Sequence, residues 1–105
     1  SLGIADAVTV LAKSAAVADV AATLIANEVI VDFPGIEKRP ASEVKDDSDL
    51  GMIPVTVAVP DLAEDKISMA LEQGAKTARK FIKAGKITAA YLSLQKQTLV
   101  IDNQL

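Results

Sequence analysis

Between Asp61 and Gly85, apolar residues recur at Ile67, Ala70, Leu71, Gly74, Ala78, Phe81 and Ile82. Steps of three and four place them on one side of a helix. No other feature constrains the fold as much, because a long helix with one apolar stripe must bury it against a sheet or a second helix. Asp61 and Glu64 have the spacing of a capping box. Acidic side chains at the start and Lys80 and Lys83 at the end complement the helix dipole. Gly85 supplies a left-handed stop. Lys76, Arg79, Lys80 and Lys83 read as the solvated side of this helix, with phosphate binding as the alternative.

The remaining elements follow from shorter patterns. Asp6 to Ala12 is β-branched and apolar on both faces, which predicts a strand interior to a sheet with both faces covered. Ser14 is placed to cap a helix running to Asn27 or Glu28. That segment is built almost entirely of small apolar residues, so it is expected to be buried on most of its sides. Val29 to Phe33 is short and β-prone, and Pro34-Gly35 ends it. Glu37 to Gly51 is the most polar stretch and reads as an ordered connection. Ile53 to Val59 is a strand, with Pro54 placing its start at an edge or at the first residue. Ile87 to Gln95 and Thr98 to Asp102 read as two strands, joined by a turn lacking the Asn-Gly or Asp-Gly of a sure hairpin. The order predicts one α+β (or α/β) domain over 1–105, with a mixed or antiparallel sheet and two main helices packed on it.

Composition removes several functions. The 105 residues carry a net charge of −3, which argues against nucleic acid or anionic membrane as the main partner. No apolar run reaches the ~18 residues of a membrane span. Zero Cys excludes disulfides and thiol catalysis and fits a cytoplasmic protein. Zero His removes the usual general base and a common metal ligand. Carboxylates, hydroxyls, Lys, Arg and backbone remain. Asp46-Asp47-Ser48-Asp49 superficially suggests a calcium loop, but its fifth and twelfth positions are Leu50 and Val57. Asp6 reads as a turn former or a ligand.

Asp19 is the only charge between Lys13 and Glu28. In a buried helix its carboxylate needs a donor, a cation or a metal. Thr23, four residues on, shares its helix face. The pair is half a site for a hard cation. The structural alternative is a buried Asp accepting backbone N–H groups, with the Thr23 hydroxyl bonding back to the carbonyl of Asp19.

The segment Ala7-Val-Thr-Val-Leu-Ala-Lys-Ser-Ala-Ala-Val-Ala-Asp-Val-Ala-Ala-Thr-Leu24 resembles the C-terminal signature of the ApbE-type flavin transferases. Ser1 to Asp6, with Ser48-Asp49-Leu50-Gly51, is closer to an uncharacterised bacterial and archaeal branch of that superfamily. The resemblance implies the C-terminal portion of a larger domain, with an upstream segment or partner chain completing the sheet. It implies a divalent metal, Mg²⁺, held by Asp19 and Thr23 beside a flavin (FAD or FMN) or nucleotide. The sharpest implied activity is FMN transfer from FAD. The alternative is a non-catalytic small-molecule-binding, structural or homo-oligomeric scaffold. With no Met before it, Ser1 reads as a processed start, the edge of a missing segment, or an N-terminal nucleophile.

Overall fold

The computed structural model describes residues 2–41 and 53–103. Ser1 and the Asp46–Asp49 run lie outside the described residues. The described elements are β1 (Ala7–Leu11), α1 (Ala15–Glu28), β2 (Glu37–Pro40), β3 (Pro54–Ala58), α2 (Glu64–Lys83), β4 (Ala89–Leu94) and β5 (Gln97–Asp102). They form an α+β fold in which every strand pairing is antiparallel. The main sheet has the order β1-β4-β5, and β2 and β3 form a separate two-stranded sheet.

The strand register sorts the main sheet into two faces. Val8, Val10, Ala90, Leu92, Leu94, Leu99 and Ile101 point toward the helices and join the core. The opposite, outer face presents rows Ala7–Ser93–Thr98, Thr9–Tyr91–Val100 and Leu11–Ala89–Asp102. α1 packs on β1, and α2 packs on β4 and β5. The result is two layers in a molecule measuring 39 × 33 × 17 Å.

α2 carries its stripe as its spacing requires: Ile67, Ala70, Leu71, Gly74, Ala75 and Ala78 are buried. Phe81 and Ile82 are half-buried and pack against the core. At Gly74 α1's C-terminal end comes very close. A Cβ there would lie 2.5 Å from Val29 Cγ2 and 2.8 Å from Leu92 Cδ2. Gly85, at φ +74°, ends α2. The Gly85 and Lys86 N–H groups donate to the carbonyls of Ile82 and Phe81, closing the last turn as a Schellman motif. Ser14 Oγ accepts from Val17 N–H at 3.2 Å, so the N-cap of α1 is as read from sequence.

Five expectations are corrected. Among the described residues β1 is an edge strand, and its outer face is exposed because both helices lie on the same side of the sheet. α1 buries only Ala21 and Ile25, since one sheet and one helix cover a single side of it. Val29 to Phe33 forms no strand; the Val29 carbonyl instead accepts from Ile4 N–H at 2.9 Å. Glu37–Pro40, expected in a connection, is β2 and pairs with β3. The capping box is absent: α2 begins after Ala63, which offers no side-chain cap. Gln95 holds the preceding segment instead. Its Oε1 accepts from Leu62 N–H at 2.9 Å, and its Nε2 donates to the Pro60 carbonyl at 2.8 Å.

Candidate functional site

Asp19 and Thr23 lie on the solvent side of α1, and both are exposed. The Thr23 hydroxyl donates to the backbone carbonyl of Asp19 at 3.0 Å. This is the back-bond within one helix that the structural alternative specified. A carboxylate calls for a compensating cation when it is buried, and Asp19 is in water. Among the described residues, no three His, Cys, Asp or Glu side chains group to hold a metal ion.

Thr23 does line a groove of about 400 Å³, with Asp6, Val8, Ala22, Ala26 and Asn27. Asp19 is not in its lining. The polar groups of this groove already hold the fold together. Asp6 Oδ2 accepts from Gln95 N–H at 2.6 Å, tying the start of β1 to the β4–β5 turn. Asn27 Oδ1 accepts from Leu2 N–H at 3.4 Å. No β4 residue lines the groove, so it lies on the free side of β1.

The basic row of α2 is solvated as expected. Its Arg79 is paired with Glu72 through an exposed ion pair. The hydrogen bond from Arg79 holds the Glu72 carboxyl below its usual value and raises the guanidinium in turn.

The outstanding surface features are apolar. On the outer face of the main sheet, Leu11 is 62%, Tyr91 41% and Val100 58% exposed. Among the described residues no helix packs on this face. A second apolar area lies between the helices, where Val17, Val20, Ala21, Leu24 and Phe81 line a groove of about 340 Å³ with Lys86. The sequence carried the signal for the first: Asp6 to Ala12 is apolar on both faces. Reading that as burial on both faces missed a surface. Gln95 and Gln97 were also missed. Gln97 accepts from Ser68 Oγ at 2.7 Å and donates to the Glu64 carbonyl at 2.9 Å. Nothing local marks either glutamine, because their partners lie about thirty residues away.

Among the described residues, no helix is long and apolar enough to cross a membrane. No curated protein and no solved structure matches the chain. A family model does match, over residues 1–100. It corrects the resemblance to the flavin transferases. The family is a different one, and the match runs over nearly the whole sequence, where the resemblance rested on a signature in the first quarter. The flavin and magnesium implied by that resemblance gain no support from it. The chain belongs to the family described as AbpE bacteria.

Proposed function

We propose that this chain is a non-catalytic structural subunit that self-associates, covering the outer face of its main sheet with a second copy. The observation that carries this reading is the exposure of Leu11, Tyr91 and Val100 on one continuous face. Contiguous apolar patches of this kind mark interaction sites on soluble proteins. Within the three central rows the only ionisable carboxylate is Asp102, at a corner of the face. Each copy carries a net charge of −3, so an interface between like copies must be apolar at its centre. Antiparallel sheets stack with their faces about 10 Å apart, which suits side chains of this size.

Sedimentation velocity on Tyr91→Lys/Val100→Lys tests the reading. Both side chains are exposed, so the double variant should keep the circular dichroism of the wild type. The expected result is dissociation to a smaller species. An unchanged sedimentation coefficient would refute the reading.

One observation favours a second reading, small-molecule binding. The groove beside Phe81 has an apolar lining that includes the stem of the exposed Lys86, whose positive charge suits a short apolar carboxylate. Octanoate should then raise the melting temperature of the wild type more than that of Lys86→Gln. Equal shifts would remove this reading.

A further inference from the structure

We infer that two copies of this chain join through the free edges of β1, making one continuous six-stranded antiparallel sheet. The inference rests on the reading that the chain self-associates. It names a different surface: the strand edge, not the sheet face.

Two observations carry it. The first is chemical. β1 pairs with β4 on one side, and among the described residues no strand pairs with its other side. Edge strands are usually protected by Pro, Lys, inward charge or bulges. β1 reads Ala-Val-Thr-Val-Leu, with no Pro and no charge, and its pairing with β4 has no bulge. Its unpaired main-chain groups call for a partner that supplies both N–H donors and carbonyl acceptors in an extended conformation, which is another strand.

The second is self-complementarity. Paired antiparallel about Thr9, the five residues set Thr9 opposite Thr9 of the other copy and Val8 opposite Val10. Ala7 falls opposite Leu11, so a small side chain meets a large one. Like β-branched and Thr–Thr pairs are favourable cross-strand neighbours. The two-fold axis is perpendicular to the sheet, so both copies keep their helices on one side. On that side Ala22 and Ala26 line the groove at the free side of β1, and their methyls leave room for the neighbouring copy.

The chain has no cysteine, so single cysteines report the contact directly. Thr9, Ala7 and Leu11 are exposed, and each tolerates substitution without loss of core packing. Under mild oxidation of the full chain, Thr9→Cys should form a disulfide-linked dimer, as the directly opposed pair falls within disulfide reach. Linkage should run roughly a hundredfold faster than for Lys76→Cys, on the solvated side of α2 and away from both surfaces, because the contact raises the effective concentration to the millimolar range. Ala7→Cys mixed with Leu11→Cys should give the mixed dimer in preference to either self-linked dimer. If the wild type self-associates but Thr9→Cys links no faster than Lys76→Cys, or the mixture shows no preference, edge pairing is wrong while self-association stands. If the wild type sediments as a 10.9 kDa monomer at every concentration, the underlying reading fails with it.

Discussion

Gly74→Ala sets two effects of opposite sign against each other. Gly in a helix interior is worse than Ala by about 1 kcal/mol, so intrinsic propensity favours the substitution. Packing opposes it. The new methyl would sit 2.5 Å from Val29 Cγ2 and 2.8 Å from Leu92 Cδ2, distances that force a displacement. Val29 and Leu92 are both fully buried, so neither can swing into solvent. Overpacking of this kind costs about 1–3 kcal/mol, and two simultaneous overlaps place it in the upper part of that range. The net expectation is a loss of about 1–2 kcal/mol, and small domains lose roughly 4–8 °C in Tm per kcal/mol. Urea unfolding at one fixed protein concentration measures it without interference from association. Val29→Ala makes room for the new methyl. The double variant should therefore be less destabilised than the sum of the singles, by at least about 1 kcal/mol. A Gly74→Ala protein as stable as the wild type, with additive behaviour in the double variant, would refute the close approach of α1 and α2.

Gln95→Ala removes the bonds to Leu62 N–H and the Pro60 carbonyl, both part-buried. It should cost about 1–3 kcal/mol by thermal unfolding, the usual penalty for stranded polar groups. Asp19→Asn should change stability by less than about 0.5 kcal/mol in the same assay, because the carboxylate is solvated. Glu72 has a depressed pKa in the folded state, so its contribution is present above its unfolded pKa and fades as pH falls through the folded value. Because the pair is exposed, Glu72→Gln should flatten the acid limb of the stability profile by less than about 0.5 kcal/mol.

What the sequence made legible depended on local signals. The α2 stripe, the Ser14 cap, the Gly85 stop and the terminal strand pair each follow from spacing or from one residue's backbone freedom. The hairpin after β4 was readable although its turn is Gln95-Lys96, with Gln95 at φ 50° where Gly or Asn is usual. Two hydrogen bonds of its side chain, to Leu62 N–H and the Pro60 carbonyl, and one from its main-chain N–H to the Asp6 carboxylate fix the turn from outside. The errors share a cause. An alanine-rich helix and a β-branched strand read as apolar all round, yet composition does not say how many layers will cover them. In a two-layer fold, α1 keeps Asp19 and Thr23 in water, and β1 keeps Thr9 and Leu11 exposed. The inference of a buried carboxylate needing a cation therefore failed at its premise, the burial of α1. Phe81, expected in the core, is half-buried: it packs against the core and also lines the groove between the helices, beside Val17, Val20 and Leu24.

Self-association is the central claim, and sedimentation equilibrium of the wild-type chain at micromolar to millimolar concentration tests it most directly. The account predicts a weight-average mass that rises above 10.9 kDa to a multiple of it. It also predicts a lower mass for Tyr91→Lys/Val100→Lys at equal concentration. A mass of 10.9 kDa across the whole range, identical in the two proteins, would contradict it.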